Sequence, residues 1–185
     1  MTDQTFVAVA AQYGSEEEAV AAFEQLRAHY KEEGGHEHGA FDAAVINRGL
    51  DGKISIVKRA DGKGRGAGKG LAVGLAGGLA IALFPAVALG GALLVAGGAG
   101  AGLGAVAGHF KRKNPSKDLE AISETLEAGT SGIVFVLEPA DADEVESLLT
   151  SASKVTRGEL AVDEEELDED VDNYVEPVWA PERPI

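Results

Sequence analysis

The sequence predicts an α+β domain interrupted by a helical hairpin and followed by an acidic, extended tail. Three observations carry this. Strand-length apolar runs and capped amphipathic helices occur on both sides of the chain's middle. Between them, residues 70 to 108 contain no charged residue at all. From Asp163 onward, ten acids stand against the lone Arg183, so this end carries −9 of the chain's net −15.

The elements follow in order. TFVAVAAQY (Thr5 to Tyr13) has the length and composition of a strand. SEEEAVAAFEQLRAHYKEEGG reads as a helix, with Ser15 as N-cap and Glu18 three residues on in a capping box. Its apolar residues Ala19, Phe23, Leu26 and Tyr30 share one face, and Gly34 is placed to end it. FDAAVINR and KISIVKR flank GLDG, where Asp51-Gly52 suits a tight hairpin turn.

Order of the same kind returns after the glycine-rich middle. Pro115 and Ser116 open a helix with Leu119, Ile122 and Leu126 inward, closed by Gly129. SGIVFVLEP is a buried strand. DADEVESLLTSA offers Asp141 as N-cap, Glu144 three residues on, and Val145, Leu148 and Leu149 facing inward. KVTRGELA alternates as a sheet-edge strand does. The order β-α-β-β, insertion, α-β-α-β predicts a sandwich related to the ferredoxin-like arrangement. The expected organisation is a discontinuous domain of residues 1–65 and 111–162, a hairpin over 66–110, and a Pro-containing tail over 163–185.

Within the insertion, small residues recur every fourth position: Gly66, Gly70, Gly74, Gly78 and Ala82, then Ala92, Ala96, Gly100, Gly104 and Gly108. Such stripes allow helix backbones to approach closely, which favours a self-associating interface in lipid or in a shared core. Each glycine costs about 1 kcal/mol relative to alanine in a helix in water, so an exposed hairpin is disfavoured. Pro85 interrupts the run and marks its turn. The uncharged stretch of 39 residues is two helices' worth, since one span needs about 20. Basic residues flank it: Lys63, Arg65 and Lys69 before, and Lys111, Arg112 and Lys113 after, placed to meet anionic lipid head groups. His109 reads as a member of the second basic patch. The turn ALFPAVALGG lacks a charged or aromatic anchor, which leaves open a hairpin buried in a soluble assembly.

The chemistry is sparse. GKGRGAGKG fails as a phosphate-binding loop, because Lys63 stands where the upstream glycine belongs and Gly70 where the hydroxyl belongs. His36, Glu37 and His38 form the one metal-like group, which Asp42 or His29 would have to complete; a solvated turn explains it better, and no metal or cofactor is expected. No nucleophile motif is present, so the chain is read as non-enzymatic. Cysteine is absent, which excludes disulfides. The strong negative charge argues against nucleic acid as a partner. The start MTDQTFVAVAAQYGSEEE lacks a basic n-region and cleavage site, so a secretory signal is not expected. The tail DEEELDED is a solvated charge run, expected to be separable from the fold. Its end, NYVEPVWAPERPI, places Val178 and Trp179 among prolines as a docking element for a protein partner.

The strand and helix VAVAAQYGSEEEAVAAFEQL, the hairpin ending VKRADGKG, the insertion closing on AVAGHFKRK and the run LEAISETLEAGTSGIVFVLEPADADEV with KVTRGEL carry a resemblance. Together they resemble the bacterial domain-of-unknown-function family numbered twelve sixty-nine. The resemblance implies a predicted membrane protein linked to general stress responses, and it implies no catalytic residues. The expected function is then a non-enzymatic stress-type protein that forms homo-oligomers. Its hairpin enters or lies on the bacterial cytoplasmic membrane and its other parts stay in the cytoplasm. The alternative is a soluble cytoplasmic assembly with the hairpins packed in its core and the tail docked to a partner.

Overall fold

The computed structural model describes residues 3–32, 42–52, 54–60, 75–84, 99–163, 165–167 and 169–170. Gly66, Gly70, Gly74, Ala92, Ala96, Lys63, Arg65, Lys69, Val178 and Trp179 lie outside the described residues, as do Pro85, His36, Glu37 and His38. The described elements are β1 (Asp3–Tyr13), α1 (Glu16–Glu32), β2 (Asp42–Arg48), β3 (Ile54–Ala60), α2 (Leu75–Leu83), α3 (Ala99–Lys113), α4 (Ser116–Ser123), β4 (Ser131–Leu137), α5 (Pro139–Leu148) and β5 (Lys154–Asp163).

The fold is mixed α+β, with one five-stranded sheet in the order β3-β2-β4-β1-β5. Every neighbouring pair is antiparallel. The strands that α1 joins, β1 and β2, lie on either side of β4. The strands that α5 joins, β4 and β5, lie on either side of β1.

Side-chain alternation builds two cores, one on each face of this sheet. Val7, Val9, Ala11, Ile133, Phe135, Ala43 and Val45 point to the face covered by α1 and α5, where Phe23, Leu26, Ala142 and Val145 meet them. Ala8, Ala10, Val134, Val136, Ala44, Ile46, Leu160 and Val162 point to the opposite face. There they pack on Leu79 and Leu83 of α2, Val106 and Phe110 of α3, and Leu119 and Ile122 of α4. Burial on both sides explains why β1 and β4 read as unbroken apolar runs rather than as an alternation, although the sheet is antiparallel.

The glycine-rich helices therefore form the third layer of the domain itself. The expectation of a hairpin standing apart over 66–110 does not describe α2 and α3, whose apolar side chains complete a core the sheet would otherwise leave open. No helix among the described residues is long and apolar enough to cross a membrane.

Local signals act much as their chemistry dictates. Ser15 Oγ accepts from the Glu18 N–H at 3.2 Å, and the Glu18 carboxylate accepts from the Gly14 N–H at 3.1 Å. Gly52 adopts φ +77° in the β2–β3 turn. The helix expected to run to Gly129 stops at Ser123. The helix expected to start from Asp141 starts instead behind Glu138, because Pro139 has no N–H to leave unpaired and suits the first helical position.

Candidate functional site

The last turn of α3 brings three side chains to one place. His109, Arg112 and Lys113 are three and four residues apart, so they share a helix face. That face abuts the end of β5 and the residues just beyond it. Asp163 closes the strand, and residues 165–167 and 169–170 are helical. Asp163 starts this turn by accepting the Glu166 N–H on its carboxylate at 3.1 Å, as an N-cap does. Leu167 then enters the core on the α2–α3 side, 1% exposed.

His109 is fully buried. Its Nε2 accepts the Asp163 backbone N–H at 3.1 Å, and its Nδ1 faces Asp170 Oδ2 at 3.4 Å. Arg112 donates to Glu166 at 3.1 Å and to Asp170. Lys113 Nζ lies 2.7 Å from Glu166 and 3.5 Å from Asp163. One residue further, the Asn114 amide pairs with the outer edge of β5. It accepts the Ala161 N–H at 2.8 Å and donates to the Ala161 carbonyl at 3.1 Å, as a neighbouring strand would.

The electrostatics follow from these contacts. Burial pushes the His109 imidazole below its ordinary 6.5, and the adjacent Asp170 only partly opposes this. The backbone N–H of Glu166, with help from Lys113, holds the Asp163 carboxyl below the usual range. Lys113 first, then Arg112, does the same for Glu166. Asp170 and Glu166 in turn push Arg112 up.

Ligand atoms of His109, Glu166 and Asp170 lie within 4.8 Å of one another, the reach of a metal site. The donor set does not fit one. A neutral imidazole has one lone pair, and here the Asp163 N–H takes it at Nε2, so the proton resides on Nδ1, the atom that would have to bind the ion. The guanidinium of Arg112 already engages both carboxylates. The group is a latch of hydrogen bonds and ion pairs fastening the residues after β5 to α3.

Two expectations are corrected here. His109 is not part of an exposed basic patch: it is buried, and its Nε2 is an acceptor. Asp163, residues 165–167 and residues 169–170 are not a solvated, extended run, because Leu167 supplies apolar burial and α3 supplies cations to Asp163, Glu166 and Asp170. Of the basic residues expected to meet lipid, Arg112 and Lys113 pair with acids of their own chain, while Lys111 is exposed. The signal for the latch was present in the sequence. His109, Arg112 and Lys113 repeat at i, i+3 and i+4, and Asp163, Glu166 and Asp170 at i, i+3 and i+7, with opposite charge.

Of the small-residue stripe, Gly78 sits against Val106, and Ala82 is buried in the same core. Gly100, Gly104 and Gly108 lie along α3, the last two half-buried, and a Cβ at Gly108 would meet only the tip of Arg112, at 3.7 Å. Gly78 makes its close helix approach to Val106 within one chain.

No curated protein and no solved structure matches the chain. One family does, described as "Protein of unknown function (DUF1269)", over residues 67–172. That interval contains α2, α3, α4, β4, α5, β5 and the latch, and it covers more than half of the 185 residues. The chain belongs to the DUF1269 family of proteins of unknown function.

Proposed function

We propose that the protein is a non-enzymatic, self-associating structural protein of the stress-related type, with a core related to the ferredoxin-like arrangement. Its glycine-rich helices serve the core of their own subunit rather than a membrane. The observation that carries this reading is the placement of α2 and α3 against the sheet, with Leu79, Leu83, Val106 and Phe110 in one cluster with Val134, Val136 and Leu160. Burying each such side chain is worth roughly 1.5–3 kcal/mol. Lifting four of them off the sheet costs on the order of 10 kcal/mol, comparable to the whole stability of a domain. Self-association would use an end of the sheet. β3 is an end strand with Val57 exposed, and such an edge can pair with a second copy.

The uncharged run of residues 70 to 108 and its basic flanks favour a second reading, in which the hairpin leaves the sheet to enter lipid. Fractionation separates the two. The first reading expects the full-length protein in the carbonate-extracted supernatant, as a multimer by light scattering. Carbonate-resistant pelleting with membranes would establish the second. A soluble monomer at all concentrations would overturn both.

A further inference from the structure

We propose that the His109 latch is acid-released: protonation of one buried imidazole detaches residues 165–167 and 169–170 from α3. This goes beyond the proposed function and does not depend on it. The two nitrogens of His109 face different partners. Nε2 accepts the Asp163 N–H at 3.1 Å, and Nδ1 faces Asp170 at 3.4 Å. An added proton has one place to go, Nε2. There it sets two N–H groups against each other and leaves the Asp163 amide without its acceptor inside a buried contact. The same amide belongs to the residue whose carboxylate caps the following turn, so the strand end and the turn move together.

The charged groups around the ring, among the described residues, enter this balance. Asp163 comes from β5, Glu166 and Asp170 from the turn beyond it, and Arg112 and Lys113 from α3 itself; α2 contributes none, since LAGGLAIAL has no ionisable side chain. The three acids favour an imidazolium, but Arg112 and Lys113 already engage them. Desolvation therefore decides, and the docked ring resists protonation relative to a solvated one. The carboxyls of Asp163 and Glu166 are held down by their partners, so they stay charged while the histidine titrates. The released segment exposes a solvated His109 with its ordinary value of 6.5. Above that value docking is complete in this respect. Below it the released state binds a proton that the docked state does not, and docking weakens until the pH reaches the lowered value of the buried ring. What release uncovers is specific: the cation pair Arg112 and Lys113, and the place in the core that Leu167 fills.

The test uses the full chain and amide hydrogen exchange, read as protection factors so that the intrinsic pH dependence of exchange is removed. Protection of the Asp163, Glu166 and Leu167 amides should fall by about tenfold per pH unit once the pH drops below the solvated histidine value, as uptake of one proton requires. His109→Gln places a neutral acceptor near the Nε2 position, and its protection at these amides should stay flat over the same range. Nitrogen-detected NMR of the wild-type ring supplies a second reading: the Nδ1–H tautomer at neutral pH, titrating in step with the loss of protection. Flat wild-type protection, parallel loss in His109→Gln, an Nε2–H tautomer, or a ring titration out of step with the amides would each overturn the proposal. If His109→Gln does not fold, the wild-type NMR titration decides alone.

Discussion

Gly78 of α2 and Val106 of α3 meet so closely that a Cβ on the glycine would lie 2.1 Å from Val106 Cγ1 and 2.5 Å from its Cβ. The missing side chain is what lets the two helices share one layer over the sheet. Helix propensity alone favours alanine over glycine by about 1 kcal/mol. The contact outweighs it, because no rotamer of Val106 removes its own Cβ. Gly78→Ala should therefore destabilise the domain by about 1–3 kcal/mol, the usual cost of overpacking. Adding Val106→Ala should restore only part, since the Val106 Cβ remains. Urea unfolding of the single and double variants checks this. Stability unchanged or increased in Gly78→Ala would contradict the close packing.

Asp42 ties the start of β2 to the start of α2. Its two carboxylate oxygens accept the N–H groups of Leu75 and Ala76 at 2.7 and 2.9 Å, across 33 and 34 residues of chain. A helix N-terminus carries unpaired donors and a partial positive charge, and this carboxylate serves both. Asp42→Ala should cost about 1–2 kcal/mol, at the upper end of capping losses because the site is buried. Asp42→Asn keeps one acceptor and should fall between. Denaturant midpoints for the two variants give the order, and an Asn variant as weak as the Ala variant would argue against capping.

The sheet was largely legible in the sequence, because strands and capped helices are local. Ser15 with Glu18, Asp51 with Gly52, and the run SGIVFVL each act through neighbours within a few residues. The pairing of β2 with β4, and of β1 with β5, is not local, and no periodicity encodes it. At Gly78 the small residue admits Val106 of α3, a partner the stripe did not name, since lipid, a second chain and a neighbouring helix of the same chain all accommodate small residues alike. The latch was obscured for a different reason. A charge run such as DEEELDED reads as solvated until a cationic helix face is brought against it, and only the fold does that. His109 sat beside lysine and arginine in sequence, which suggested exposure, whereas the helix turns it inward beside Phe110, itself fully buried.

Tyr13 gives the domain an alkaline limit. Its ring is fully buried at the end of β1, and burial pushes its phenol from 10.0 to about 12. The folded state thus holds a proton that the unfolded chain gives up near pH 10. Stability from this group is fully present below that value and is lost as pH rises through about 12. The denaturation midpoint of the wild type should fall over this interval. In Tyr13→Phe, which keeps the ring without the ionisable hydroxyl, the fall should be smaller. Parallel alkaline profiles for the two proteins would show that other groups control it.

Leu167 decides where the domain ends. The acids around it suggest a solubilising tail that can be cut after Val162 at no cost. The structure sets it, 1% exposed, in the same cluster as Leu79, Phe110 and Leu160, with Arg112 and Lys113 neutralising the flanking carboxylates. Leu167→Ala should then cost about 2–4 kcal/mol, the range for a buried leucine whose cavity does not collapse. Ending the chain after Val162 should cost at least as much, because it also removes the Asp163 amide that His109 accepts and leaves that buried nitrogen unpaired. The ion pairs are a lesser part of the loss. They are partly exposed, and such pairs contribute about 0–1 kcal/mol each. Raising the salt concentration should therefore shift the wild-type midpoint by much less than Leu167→Ala does. Thermal unfolding of the wild type, Leu167→Ala and the chain ended after Val162, each at low and high salt, tests this assignment. Equal midpoints for all three would place the fold's boundary before Asp163 and leave the acidic residues outside it.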